Sequence, residues 1–355
     1  MSIQNVRLEV MQFLEKKIDH FMEEFLIPVE KIWQPTDLLP DSSKENFLEE
    51  VKELREIAKD LPYDFWVVLV GDTITEEALP TYETWLMDVE GVSQKGEKGD
   101  NGWAKWLRQW TGEENRHGDV LNKYLYLSGR VNMREVEITT QHLINDGFDP
   151  GTDRDPYKNF VFTSFQELAT YVSHNRVAQM AKKFGDKKLF KMCNLIAGDE
   201  MRHHLAYSEF VKRIFEVDPS EMMLSFQYMM KKKITMPAHL IRESGESIGT
   251  AFEKFSESAQ RLGVYTAMDY VDILKKSSKN NSELKLLELK LSGENKGKNG
   301  YGETEDPSTW IWTESDLIMV DLIKELHRNG IRVIFDGVFN HSSNRHWSFN
   351  QVQIG

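Results

Sequence analysis

Two short strings, Glu114-Asn115-Arg116-His117 and Glu200-Met201-Arg202-His203, each set a glutamate three residues ahead of a histidine. On a helix, residues three apart share a face, so each string aims one carboxylate and one imidazole at a single point. Two such helices, with one further Glu from each of two others, make up the ligand set of a carboxylate-bridged pair of irons inside a four-helix bundle. The spacing alone is weak evidence. With 10 His and 57 acidic residues in the chain, chance supplies about one or two acid-x-x-His spacings.

The helices that carry the strings decide the matter. Trp103, Trp106, Leu107, Trp110, Leu121 and Leu125 recur at steps of three and four, and Glu114 and His117 fall on that apolar stripe. The second string lies on a similar one, between Leu189, Met192, Cys193 and Ile196 before it and Tyr207, Phe210 and Ile214 after it. An ionised carboxylate aimed into a core costs several kcal/mol unless it is paired or bound to metal. One such pair reads equally well as a half-buried polar contact; two on core faces together read as a metal site. His204, His142, His174, His239 and His20 carry no such pattern and read as ordinary polar or core histidines.

Two more carboxylates are required. Glu76 lies near the end of a predicted helix that continues from the apolar run 65–70, with Glu77 and Glu83 competing for the role. Pro80 has no N–H for the carbonyl of residue 76, which predicts a kink beside the proposed ligand. Glu167 lies on a predicted helix whose face continues through Tyr171 and Ala178.

Longer stretches around these positions carry a resemblance: 75–82 (TEEALPTY), 111–131 (TGEENRHGDVLNKYLYLSGRV), 157–170 (YKNFVFTSFQELAT), 197–204 (AGDEMRHH), 233–240 (KITMPAHL) and 260–270 (QRLGVYTAMDY). From about residue 5 to about 275 the chain resembles the soluble acyl-acyl carrier protein desaturases of plastids and bacteria. The resemblance implies an all-α, ferritin-like four-helix bundle with additional helices, holding two Fe2+ per chain. It places the metal ligands at Glu76, Glu114, His117, Glu167, Glu200 and His203, and so favours Glu76 over Glu77. It also places an active-site threonine at Thr170, with Asp199 and Trp33 behind the metal. A metal-bound imidazole needs its other nitrogen held, and Asp199 suits His117, with Trp33 extending that path toward the surface.

The activity implied is insertion of a cis double bond into a saturated acyl chain on acyl carrier protein, with dioxygen and electrons from reduced ferredoxin. A homodimer is implied as well. Four carboxylates and two imidazoles are a mostly hard donor set suited to iron. By the same resemblance Trp85, Asp88, Val89, Pro150 and Asn159 fall along an apolar substrate tunnel. Competing readings are another ferritin-like oxidase such as a ribonucleotide reductase small subunit, an iron-storage protein, or a desaturase inactivated at its C-terminal end.

Composition bounds these readings. At 355 residues and 40% hydrophobic, the chain can bury a sizeable core. Its one cysteine, Cys193, excludes a disulfide scaffold and points to a reducing compartment. No run of 18 apolar residues occurs, so no membrane span is expected. The first residues already form an amphipathic pattern (Val6, Val10, Phe13, Leu14, Phe21, Phe25) rather than a leader, which predicts a cytoplasmic protein. The net charge of −13 gives no footing for nucleic acid and sits awkwardly with acidic carriers and ferredoxins. Docking then needs a local basic patch, for which Lys182, Lys183, Lys187 and Lys188, or residues 231–233, are candidates.

Beyond about residue 275 the character changes. Residues 276–305 read as a polar linker with a short leucine-rich helix. The run 306–341 (DPSTWIWTESDLIMVDLIKELHRNGIRVIFDGVFNH) resembles one αβ step of an α-amylase-family glycoside hydrolase, with Asp336, Asn340 and His341 in its first conserved region. Glycoside cleavage needs two carboxylates flanking the bond, and a closed barrel needs about 250 residues. The 306–355 segment is therefore expected to be a short α/β fragment without glycosidase activity.

Overall fold

A computed structural model describes residues 3–92, 102–232 and 234–280. The expected fragment 306–355 and residues 281–305 of the expected linker lie outside the described residues. Within them the chain is all-α, with no strand. Four helices form the central bundle: α4 (Tyr63–Glu77), α6 (Gly102–Ser128), α8 (Pro156–Lys183) and α9 (Lys187–Val217). Around them lie α1 (Ile3–Glu15), α2 (Ile18–Phe25), α3 (Phe47–Ala58), α5 (Leu79–Met87), α7 (Met133–Asp146), α10 (Pro219–Lys231), α11 (Thr250–Leu262) and α12 (Ala267–Asn280). Helix α12 runs to Asn280, so the first five residues of the expected linker are helical. No helix among the described residues is long and apolar enough to cross a membrane.

The longest pair, α8 and α9, is joined by a turn that local chemistry specifies. The Gly185 N–H donates to the Lys182 carbonyl and the Asp186 N–H to the Ala181 carbonyl, the paired bonds that close a helix on a left-handed residue. Gly185 takes that conformation at φ +85°. Asp186 then caps α9 by accepting from the Leu189 N–H at 2.8 Å, and its other oxygen accepts the Tyr124 hydroxyl at 2.6 Å. One residue thus ends a helix, starts the next and ties both to α6. At the start of α8, Asp155 caps the Tyr157 N–H beside Pro156. The resulting α8–α9 hairpin is antiparallel, which sets Thr170 beside Glu200 and Ser164 beside Ser208.

The expected kink at Pro80 is a full break: α4 ends at Glu77 and α5 restarts at Leu79, with the proline in its first turn. The apolar stripes are buried as their spacing requires, Trp103, Trp106, Trp110, Leu121, Leu125, Leu189, Ile196, Phe210 and Ile214 among them. They divide into two clusters. One gathers Trp103, Trp106, Phe160, Tyr207 and Phe210; the other gathers Phe65, Tyr124, Val177, Leu189 and Ile196. Along α6 and α9 the polar residues of the two strings fall between these clusters. The bundle therefore buries its carboxylates in a belt at mid-length, walled off by apolar packing on both sides.

Candidate metal centre

Four helices supply the belt: Glu76 from α4, Glu114 and His117 from α6, Glu167 from α8, and Glu200 and His203 from α9. Their donor atoms form two groups, Glu76–Glu114–His117–Glu200 and Glu114–Glu167–Glu200–His203, each within 4.8 Å overall. Glu114 and Glu200 belong to both groups, as bridging carboxylates would. His117 Nδ1 lies 3.1 Å from Glu200 Oε1 and 3.2 Å from Glu114 Oε2, and His203 Nδ1 lies 2.6 Å from Glu114 Oε1. Glu76 Oε2 and Glu167 Oε2 stand farther off, at 3.8 and 3.7 Å from those nitrogens.

The donor set fits a pair of hard cations. His117 Nδ1, His203 Nδ1, Glu114 Oε1, Glu200 Oε1 and Glu167 Oε1 are buried without a hydrogen-bond partner. Native interiors seldom leave such atoms without a hydrogen bond, and five of them gathered in one belt is a cluster of metal donors. Electrostatics agree. Burial pushes Glu167 and Glu200 up, and the Glu114 charge adds to it. Burial pushes Glu114 up as well, but the His117 and His203 imidazoles overcome this and hold it far below the ordinary carboxylate range. Burial opposes charge on both imidazoles, yet the facing carboxylates hold them well above the usual histidine range. A dication in each group would take over the role those protons play.

The outer nitrogens of the two histidines are held by a pair of acids. His117 Nε2 lies 3.2 Å from Asp199 Oδ2, which also accepts from Trp33 Nε1 at 3.0 Å and Arg116 at 2.9 Å. His203 Nε2 lies 3.1 Å from Glu113 Oε2, which also accepts from Arg202 at 2.8 Å. Each acid directly precedes the bridging glutamate of its own helix and serves the histidine of the other. Sequence reasoning missed Glu113, Arg116 and Arg202. The signal was present: both strings read acid-Glu-x-Arg-His, over 113–117 and 199–203.

Two further residues went unnoticed. His174, read as an ordinary core histidine, donates from Nε2 to Glu76 Oε1 at 2.8 Å. Gly118 is where α4 approaches α6: a Cβ there would lie 2.8 Å from the Glu77 nitrogen and 2.9 Å from the Glu76 carbonyl carbon. The Thr170 hydroxyl donates to Glu200 Oε2, within reach also of the Glu167 carbonyl at 3.0 Å.

Residues 6–298 match the fatty acid desaturase family. The chain belongs to that family. It is 54% identical over 268 residues to the chloroplastic stearoyl-acyl-carrier-protein 9-desaturase 5 of Arabidopsis thaliana, covering 76% of this chain and 67% of that one. It is 52% identical over 273 residues to a chloroplastic stearoyl-acyl-carrier-protein 9-desaturase of Spinacia oleracea, covering 77% of this chain and 68% of that one. Among solved structures, a candidate acyl-ACP desaturase from Mycobacterium tuberculosis H37Rv aligns with 76% of this chain and 95% of its own, at 18% identity and a TM-score of 0.46.

The other residues anticipated for this desaturase are not among the donor groups of the belt. Val89, Pro150 and Asn159 are buried, and Trp85 is half-buried, edge-on to Phe148 and Phe162. Asn159 Oδ1 has no hydrogen-bond partner. Asp88 is different. Its carboxylate is exposed and pairs with Arg154 at 2.9 Å, so it faces solvent rather than an apolar interior. Of the candidate docking lysines, Lys182, Lys183 and Lys187 are exposed, whereas Lys188 is engaged with Glu50 at 2.8 Å and Lys232 with the Gly151 carbonyl. Lys233 lies outside the described residues.

Proposed function

We propose that this member of the desaturase family acts on a saturated acyl chain carried by acyl carrier protein, with two Fe2+ per chain at the belt and electrons from ferredoxin. The reaction removes two hydrogens from adjacent CH2 groups and reduces dioxygen to two waters, drawing two electrons and two protons from outside. One observation carries the reading: two four-donor groups share Glu114 and Glu200 in the apolar interior of a desaturase-family bundle. Relatives above half identity that are named for carrier-bound stearoyl substrates support the substrate class.

Bound iron would supply the oxidising power for an unactivated CH2, and the chain controls its surroundings. His117 and His203 would hold the metals through Nδ1, while Asp199 and Glu113 keep the protons on Nε2 and so fix both rings. Thr170 holds a proton against Glu200 Oε2 at the edge of the site. Trp33, stacked on His117 at 6.1 Å and bonded to Asp199, forms the electron path. The two apolar clusters exclude bulk water. Trp85, Val89, Pro150 and Asn159 line the acyl tunnel in this reading, with Asp88 at the surface beside it. Buried, unpaired Cys193 suits a reducing compartment, here the cytoplasm, and the active form is a homodimer.

Activity resides in the family-matched part, and 306–355 contributes no glycosidase. Iron analysis tests the centre: wild type binds two Fe2+ per chain, and Glu114→Ala or Glu200→Ala, which each remove a shared ligand, bind fewer. Unchanged iron in both variants places the site elsewhere. A chain ending at residue 298 retains iron and activity; loss of both assigns the tail a role.

A further inference from the structure

The two metal positions carry the same kinds of donor but are not equally supported. Glu76 sits on the final turn of α4, one residue before the helix ends and two before the break at Ala78. A glutamate there has little backbone beyond it to limit its side chain, and fixing its rotamers costs conformational entropy. His174 on α8 compensates. It is 2% exposed, follows Thr170 by one helical turn, and points Nε2 at Glu76 Oε1. Its other nitrogen, Nδ1, is buried without a hydrogen-bond partner. Asp72, one turn earlier on α4, flanks it and is itself reached by the Ser173 hydroxyl at 3.4 Å. Glu76 Oε1 is therefore committed, and Oε2 is the atom turned to His117. The counterpart Glu167 has no such tether: its Oε1 is buried and unpartnered.

Resting on the two-metal reading above, we propose that His174 is a positioning residue that selectively strengthens the Glu76–His117 metal position by holding Glu76 in its donor orientation. The competing account is a buried histidine that merely fills space between α4, α8 and α9. That account predicts a loss spread over both positions, or stability alone.

The test is a set of anaerobic Co2+ titrations of the metal-free full-length chain, read by visible absorption, with helical circular dichroism as a check on folding. Wild type takes up two equivalents. His174→Ala weakens one of the two by about 10–100-fold, the usual effect of removing a partner of a metal ligand. His174→Gln, which keeps an N–H donor at that reach, restores most of the loss. In a Glu167→Ala background, which leaves the Glu76 position intact, His174→Ala weakens the remaining metal by the same factor. In a Glu76→Ala background it leaves the remaining metal unchanged. Equal weakening in both backgrounds, or none in either, overturns the proposal. If His174→Ala fails to fold, His174→Leu, which fills the space without a donor, takes its place in the two backgrounds: a loss confined to the chain that keeps Glu76 supports the proposal, and an equal loss in both or none in either overturns it. A wild-type chain that binds no Co2+ overturns the two-metal reading itself, and this proposal with it.

Discussion

Replacing Gly118 by alanine separates two effects that usually travel together. The residue lies inside α6, where Gly→Ala should stabilise the helix by about 1 kcal/mol. Its Cβ, however, would lie 2.8 Å from the Glu77 nitrogen, 2.9 Å from the Glu76 carbonyl carbon and 3.1 Å from its oxygen. Those are backbone atoms that cannot swing aside, and ordinary contact begins at about 3.5 Å, so α4 must retreat by roughly 0.7 Å. Overpacking of that kind costs about 1–3 kcal/mol. Gly112, six residues earlier on the same helix, is the internal control, because nothing lies within 4 Å of its Cβ position. Gly112→Ala should stabilise the metal-free chain by about 0.5–1 kcal/mol, and Gly118→Ala should fall below it by about 1–3 kcal/mol. Metal sites tolerate ligand shifts of only about 0.2 Å, so Gly118→Ala should also lose tight binding at the Glu76 position and retain about one metal per chain. Urea melts of both variants and metal analysis after gel filtration read the two effects. A Gly118→Ala chain as stable as Gly112→Ala and still holding two metals would refute the claim that this approach seats Glu76.

Three further outcomes follow from the same geometry. Glu113→Gln and Asp199→Asn each leave an imidazole without its anionic partner, and each should weaken metal binding by about 10–100-fold; titrations showing affinities equal to wild type would remove these acids from the account. In the metal-free chain, Glu114, Glu76 and Asp199 are held below the usual carboxylate range against the push of burial, so their contribution is lost as pH falls below about 4. His117 and His203 are held above the usual histidine range, so theirs is complete below about pH 6.5 and fades as pH rises through their folded values. Metal-free stability should thus peak between those limits, and metal uptake near pH 7 should release protons; uptake without proton release, measured in weak buffer, would contradict the charge assignment. Trp33→Phe removes the indole N–H from Asp199 while keeping the stack on His117, and should leave iron content unchanged but slow ferredoxin-driven turnover; unaltered turnover would exclude Trp33 from the electron path.

Helix phase made much of the site readable in advance. A three-residue spacing on an apolar stripe has few explanations, and the fold brings together all six residues to which it and the family resemblance pointed. The choice between Glu76 and Glu77 was harder, because the helix ends there and a terminal turn has no following stripe to set its phase. Gly118 supplies the missing constraint by drawing that turn against α6, and a lone glycine beside a histidine gives no hint of this. His174 was illegible for a related reason: it shares a face of α8 with Glu167 and Thr170, but its partner is 98 residues away and only the packing of α4 on α8 brings the two together. Glu113 and Asp199 were adjacent to ligands, but only the crossing of α6 and α9 shows that each serves the other helix's histidine. Asp88 illustrates the reverse case, since the resemblance suggested a tunnel position and its side chain pairs with Arg154 at the surface.

The most direct test is product analysis. The iron-loaded chain is incubated with acyl carrier protein bearing saturated chains of graded length, ferredoxin, its reductase and dioxygen, and the released fatty acids are resolved by mass spectrometry. The account predicts a cis-monounsaturated product that depends on Glu114, Glu200 and electrons. Two irons bound per chain with no unsaturated product at any chain length would contradict it.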